Sequence, residues 1–555
     1  MDAEKKNTKN TKNKIHKKIR KIIYSAGALL GLAGLVLLYR LTGLLLQPAN
    51  LFHAAGALWT LLLLCWSVWT VMIGLRNQNS TPLSANRTER LALAGAGLLI
   101  GGGFLLAAWS RLLLGREPAA LFPFPVPGGM IGQALLGAGL VITALSVLHL
   151  LLCRVLPQRN PALFPLAAML SGIGLLLLFR LGPDIAVLRH RSGFSLLFWR
   201  QARSWLISLA VFAASLWFFT PRRLNELTQK RYVYGLASIV LIAVTALFGT
   251  EMHGRRLAIN LGVMNFQTVE LVKLLALFFM VGYFRFEGRF LEVGRGRFGL
   301  PRGRYLLPYL FMWVLVLLPI FLQRDLGPTM LIFSLFLVIF YLGTGSSILV
   351  TGGLILMGLA GAAAYFAGIP SMVRTRVDMW LDPFHHSQNI AESLWAAASG
   401  GLFGKGIGQG LAHRIPVVQS DFNFSVIAEE WGFVGVTAML VIFAGLVAIC
   451  LRIARRRRQP WQQLLAVGLG ALWMLQTLVI ISGNLALLPL TGITLPFISY
   501  GGSSLLMNFV MLALALRLSI DREQEAEPET RATAGREQQT RVDPGVFSAS
   551  ASGAM

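Results

Sequence analysis

The sequence predicts an all-α polytopic membrane protein, and three observations carry that prediction. Of the 555 residues, 55% are hydrophobic and only 13% are charged, about half the charge of an average soluble domain. The mean hydropathy is +0.64. Apolar runs of about twenty residues, the length of a helical span, recur from near residue 24 to near residue 519. An ordinary cytosolic enzyme is excluded.

In chain order, residues 1–22 are polar and basic, and Lys5, Lys6, Lys17, Lys18, Arg20 and Lys21 are expected to hold them in the cytoplasm. The first span, about Ile22 to Leu46, is too long for a signal-peptide core, and no small-residue cleavage site follows it. Three more spans, centred near 63, 102 and 142, complete an N-terminal set of four within 23–160. Ten further spans, centred near 172, 211, 240, 277, 313, 336, 358, 438, 475 and 507, fill 161–519 and make about fourteen in all. The tail, 520–555, is polar and nearly free of aromatics, so disorder in the cytoplasm is expected.

The balance of 50 Lys and Arg against 24 Asp and Glu would on its own suggest a nucleic-acid partner. Location argues for none, because the cations sit in short runs between apolar segments. Every second loop holds such a run: Arg76/Arg87/Arg90, Arg154/Arg159, Arg222/Arg223/Lys230/Arg231, Arg285 to Arg304, and Arg452 with Arg455 to Arg458. The positive-inside rule makes these loops and both termini cytoplasmic; only the loop with Arg189, Arg191, Arg200 and Arg203 falls on the wrong side. Cys65, Cys153 and Cys450 lie within apolar spans without metal-ligand spacing and read as packing residues.

The long loop 370–423, on the outer side by parity, is the best candidate for an active site. It mixes Trp380, Phe384, Trp395 and Phe403 with the Gly-rich run SGGLFGKGIGQG, a composition for a partly buried, folded loop rather than a linker. Arg374 and Arg376 open it and suit an anion such as a phosphate; the alternative is a pair of exposed loop arginines. Ionisable residues at membrane depth are functional candidates by default. Glu270 and Lys273, three apart, share a helix face and read as a structural ion pair. Asp325 in FLQRDLGPT and Asp421 in QSDFNF each precede a span, where capping a helix N-terminus is the competing role. Glu429 and Glu430 lie deep enough to need partners or water. LPLTGITLPFISYGGSS, with Ser503, cannot be regular helix throughout, and broken backbone at that depth requires protein or a water-lined cavity around it. His385 and His386 with Asp378 and Asp382 match no usual metal-ligand pattern, and no metal site is expected from them.

These segments together resemble the SEDS family (shape, elongation, division and sporulation), the FtsW/RodA/SpoVE-type peptidoglycan glycosyltransferases. The resemblance covers about residues 161 to 519, the family's ten-span core, with four extra spans before it. Gln323-Arg324-Asp325-Leu326-Gly327-Pro328-Thr329 corresponds to the family's Gln-Pro-Asp-Leu-Gly-Thr. Pro416 through Ser420-Asp421-Phe422-Asn423-Phe424, then Glu429-Glu430 and Gly432, follow its Pro-x-x-His-Thr-Asp-Phe-x-Phe pattern. Leu495 to Ser503 keeps Leu-Pro-Phe-x-Ser-Tyr-Gly-Gly-Ser intact; Arg374-Thr375-Arg376-Val377 before Asp382-Pro383, and Ser399-Gly400-Gly401 with Gly404-Lys405-Gly406, also match. Gln267-Thr268-Val269-Glu270 keeps the family's charged pair with Lys273 but lacks its Pro and Ser, and Gln419 stands where the family has His.

The resemblance implies polymerisation of lipid II into glycan strands at the outer face of the cytoplasmic membrane, beside a class B penicillin-binding protein. The acceptor's 4-hydroxyl attacks the anomeric carbon of a lipid-pyrophosphate donor, which asks for one base and for cations at the leaving group. Asp421 is the expected base; Arg374, Arg376 and Lys405 the expected cations; Asp325 and Ser503 line the substrate; Glu429 and Glu430 are accessory acids. No cofactor is required by the sequence, though a divalent cation, Mg or Mn, bridging the pyrophosphate is compatible with the reaction. Two other readings stay open, a flippase for the lipid-linked precursor and a non-catalytic scaffold for a transpeptidase.

Overall fold

The computed structural model describes residues 48–520, apart from 77–81, 117–120, 253–254, 261, 263–264, 294–302, 324 and 369–370. The expected first span and the expected disordered tail lie outside the described residues. Helices α1 (Pro48–Arg76), α2 (Pro82–Leu113) and α3 (Gly129–Val155) precede α4 (Leu163–Leu188), α5 (Leu197–Phe218), the short α6 (Pro221–Leu227) and α7 (Arg231–Phe248). Strands β1 (Thr250–Met252), β2 (Arg255–Asn260) and β3 (Asn265–Gln267) lead into α8 (Thr268–Val293), α9 (Gly303–Leu322), α10 (Leu326–Thr344) and α11 (Ser347–Ala367). Three short helices follow, α12 (Ser371–Leu381), α13 (Pro383–His386) and α14 (Gln388–Ser399), then α15 (Asn423–Arg456), α16 (Pro460–Asn484) and α17 (Gly502–Leu518).

Among the described residues, nine helices are long and apolar enough to cross a membrane, or ten if α5 and α6, bent by 90°, count as one span. The bend is sharp because Pro221 opens α6 and the Thr220 hydroxyl accepts from Arg223 N, a fresh helix start rather than a continuation. The chain is therefore helical and polytopic, with one addition. Strands β1, β2 and β3 form an antiparallel sheet in that order, with Ala258 opposite both Thr250 and Gln267. An all-α reading misses it because strands of three to six residues are too short for alternation to show.

Apart from Arg180 and Asp184 toward its C-terminal end, helix α4 is apolar around its circumference, and its membrane-length window is entirely buried, the expected fate of such a helix. It is wrapped by α2, α5, α15 and α17. Close approach is bought by glycine: a Cβ on Gly174 would lie 2.3 Å from Ile498 O. Helix α1 packs most extensively against α15, where Val71 fills the space over Gly445 and Trp59 meets Trp431 edge-on at 4.8 Å. One hydrophobic cluster thus runs from Trp59 and Phe104 through α4 to Trp473 and Phe509. By contrast α11 buries none of its residues and packs on α10 and α12.

Candidate active site

Four segments that are far apart in sequence meet at Thr491–Ile493. Arg376, on α12, donates from Nη1 to Thr491 O at 2.8 Å, and Trp380, one turn on, donates to Ala486 O. Gly327, in the first turn of α10, lies so close that a Cβ there would stand 2.8 Å from the same Thr491 O. Gly492 has φ of +70°, and a Cβ built on it would lie 3.7 Å from Asp421 Oδ2 and 3.8 Å from Arg376 Nη2. A carboxylate and a guanidinium therefore face one point above a residue without a side chain.

Asp421 is held there by a strained turn. Val417 has φ of 60°, a conformation costly for a β-branched residue, and its carbonyl accepts from both Ser420 N and Asp421 N. Tyr500 N and Asn423 Nδ2 donate to Gln419 O, Asn423 also donates to Ser499 Oγ, and Ser499 Oγ donates to Ser420 O. These bonds stitch QSDFNF to LPFISY, where Phe497 also has positive φ. Such strain persists only where the surroundings over-determine it. Asp421 lies one residue before the N-cap position of α15, which is Phe422. Asp421 is half-buried.

The Gly-rich run is seated in a break of α15. Gly432 is non-helical, with φ 65° and ψ −164°. Across the break, Glu429 O and Glu430 O accept from Lys405 N and Gly406 N, while Phe433 N and Val434 N donate to Gly401 O and Leu402 O. The loop has taken over two helical pairings, and the glycines are required by approach, since a Cβ on Gly400 would lie 1.9 Å from Ala428 O. Glu429 binds Lys405 Nζ at 2.7 Å and accepts from Ala412 N at 2.7 Å. Glu430 accepts from Gly408 N and pairs with Arg180. The partners that burial demands are thus supplied by the loop and by Arg180 of α4, and Lys405 spends its charge on Glu429. His413, beside this cluster, is pushed down to about 4 from its ordinary 6.5, by burial first and then by Arg180, so it is neutral at neutral pH.

The remaining sequence candidates are dispersed. Arg374 is exposed; two residues from Arg376 on a helix, it sits on a different face. Asp325 occupies the N-cap position of α10, but its side chain makes no capping bond there. Ser503 latches the sheet, accepting from Gln267 N and donating to Asn265 O. Lys273 bridges Glu270 at 2.7 Å and Gln476 at 3.0 Å, both buried. Asp382 caps α13 and binds His385, whose bond holds that exposed carboxyl below its usual range, and Asp378 accepts from Tyr365 OH. No three His, Cys, Asp or Glu side chains gather as a metal site among the described residues.

A match to the FtsW/RodA/SpoVE cell cycle protein family covers residues 161–524. The chain belongs to that family. Its relatives include the peptidoglycan glycosyltransferase RodA of Mycobacterium tuberculosis, 36% identical over 391 residues, which cover 68% of this chain and 81% of that one. The probable peptidoglycan glycosyltransferase FtsW of Nitrosomonas europaea is 30% identical over 372 residues, 65% and 93% of the two chains. Among solved structures, a chain from work on structural coordination of polymerization and crosslinking by a peptidoglycan synthase complex is 28% identical. The alignment covers 66% of this FtsW/RodA/SpoVE-family chain and 99% of that one, with a TM-score of 0.55. Helices α1–α3 precede the matched region.

Sequence reasoning missed Arg180 and Asp184, the most heavily paired charges at this end of the family core. The signal was available: an i, i+4 pair of opposite charges inside LLLLFRLGPDIAVL obeys the same rule that singled out Glu270 and Lys273.

Proposed function

We propose that this protein is a peptidoglycan glycosyltransferase that polymerises lipid II, with Asp421 as the general base. The observation that carries the assignment is the shared point over Gly492, faced by the Asp421 carboxylate and the Arg376 guanidinium. The acceptor O4 forms its bond to the donor's anomeric carbon as the bond from that carbon to the pyrophosphate oxygen breaks. The O4 proton passes to Asp421, and the pyrophosphate leaves as an anion stabilised by Arg376, with Arg374 at the approach. Lys405 holds the loop through Glu429 rather than the leaving group. A divalent cation, Mg or Mn, would arrive as part of the substrate, held by its phosphates and at most one or two carboxylates.

In this reading the loop 370–423 faces outward, both termini are cytoplasmic, about fourteen helices span the cytoplasmic membrane, and a class B penicillin-binding protein crosslinks the product. The decisive experiment is Asp421→Asn protein of confirmed expression and thermal stability, assayed on purified lipid II. A base role predicts activity lowered about 10²-fold or more. Activity within a few-fold of parental removes Asp421 from the mechanism.

A further inference from the structure

The best-connected charge cluster at the loop end begins outside the family-matched region. Arg111, in the last turn of α2, and Arg116, just beyond it, reach both oxygens of Asp184 on α4. Arg111 Nη1 lies 2.6 Å from Oδ1, and Arg116 Nη1 lies 2.5 Å from Oδ2. Asp184 Oδ2 also accepts from Arg180 Nη1. Arg180 in turn pairs through Nε with Glu430 at 2.5 Å and donates from Nη2 to Gly410 O at 2.8 Å and Gly408 O at 3.3 Å. Glu430 closes the circuit by accepting from Gly408 N at 2.8 Å. A parallel tie joins the same two elements, Gln409 Nε2 donating to Ser110 Oγ at 3.1 Å.

We propose that Arg111 and Arg116 are positioning residues for the glycosyltransferase reaction. From the helices that precede the family core, they fix Asp184, and through Arg180 they fix the segment Gly408–Gly410 that continues to Asp421. The inference rests on the functional reading above and extends it: the N-terminal helices are part of the catalytic platform. A guanidinium with one carboxylate on each side has a single orientation, whereas one with a free-swinging partner has several. Arg180 has that two-sided clamp only while Asp184 is itself held.

A simple packing role makes the opposite forecast. The cluster sets three guanidiniums, Arg111, Arg116 and Arg180, against two carboxylates, Asp184 and Glu430. Removing Arg111 or Arg116 still leaves Asp184 two guanidiniums, so under a packing role a Met variant changes stability only, with kcat and the seating of Gly408–Gly410 unchanged.

The test uses full-length protein with Arg111→Met, Arg111→Lys and Arg116→Met. Arg116→Met is the safer fold, because that side chain is 30% exposed. Lipid II polymerisation is the first readout. The second is disulfide formation between cysteines placed at Ser110 and Gln409, read by mass spectrometry of the linked peptides. Positioning predicts that both Met variants lower kcat about tenfold or more, since small displacements of a catalytic loop have large effects, with KM within about twofold. The 110–409 disulfide should form less readily in both, and Arg111→Lys should recover part of each loss. Met variants with kcat within twofold of parental overturn the proposal, as does lost activity with unchanged 110–409 crosslinking. If the parental protein fails to polymerise lipid II, the functional reading fails instead, and the crosslink still decides whether these arginines seat the loop.

Discussion

Replacing Gly432 by Ala should unseat the Gly-rich loop and with it the activity. At φ 65° and ψ −164°, any side chain costs about 1–3 kcal/mol in backbone strain. The new Cβ would stand 2.2 Å from Gly404 N and 2.7 Å from Leu402 O. Both are backbone atoms, so no side-chain rotation relieves the contact. The cheap escape is for α15 to close into a regular helix, with Phe433 N and Val434 N returning to Glu429 O and Glu430 O. That forfeits the bonds from Lys405 N and Gly406 N and those to Gly401 O and Leu402 O. The helix recovers two of the four, leaving a net loss of about 1–3 kcal/mol at 0.5–1.5 each. Closing the helix also relieves the strain, so leaving the dock costs about 1–3 kcal/mol, whereas staying docked costs the strain plus an unrelieved backbone clash; the docked state of the loop empties while the bundle stays folded on its own core. Limited proteolysis should cut between residues 400 and 414 in the variant and not in the parent, and lipid II polymerisation should fall at least about tenfold. A variant that resists protease at the loop and keeps activity within twofold would refute the claim that the break in α15 seats it.

The other predictions concern single charges. Arg376→Ala should lower kcat/KM for lipid II about 10²-fold, and Lys should recover only part, because it cannot serve Thr491 O and the point above Gly492 together; Arg374→Ala should cost less, and equal losses would argue against the division of roles. His413 titrates at about 4 in the folded protein against 6.5 ordinarily, so the unfolded chain takes up the proton first. The contribution is intact above about pH 6.5 and is lost as pH falls toward 4, by about 2 kcal/mol once the ring's partial exposure is allowed for. Thermal unfolding of His413→Asn protein should show a shallower decline between pH 7 and 4.5 than the parent, and an unchanged slope would dismiss the assignment. Cysteines at His386 and Ser550 should differ on intact cells treated with an impermeant thiol reagent; labelling at 550 but not 386 would invert the topology.

Much of this was legible because a bilayer makes charge conspicuous. Where the surroundings are apolar, Glu270, Lys273, Asp325, Glu429 and Glu430 stand out in one dimension, and five ordered motifs identify the family core. What could not be read was pairing. Arg376 and Arg374 look equivalent in a loop, and only the helix α12 separates them by face. Lys405 reads as a free cation until the loop is seen folded back on Glu429. Capping competed with the base role at Asp421 because it precedes a span, and the turn at Val417 that holds it is one residue pattern that no propensity favours. The sheet escaped for want of length, and Arg111 for want of any reason to connect α2 with a loop three hundred residues on.

The carboxylates at the loop end divide by burial, and the division accounts for their different uses. Asp184, Glu429 and Glu430 are almost fully enclosed, and an enclosed carboxylate must have its lone pairs filled by cations or N–H groups. The structure fills them: three arginines on Asp184, Lys405 and Ala412 N on Glu429, Arg180 and Gly408 N on Glu430. A carboxylate satisfied in this way cannot accept a proton from a substrate without breaking the loop it holds. Asp421 differs in being half-buried, within a turn whose bonds are made by the backbone around it, from Val417 to Tyr500. Its backbone is thus fixed by main-chain geometry, and its carboxylate faces the point over Gly492 that the Arg376 guanidinium also faces. A base must be held still and yet be reachable by an incoming hydroxyl, and the proposed base, Asp421, is the least enclosed of these four acids.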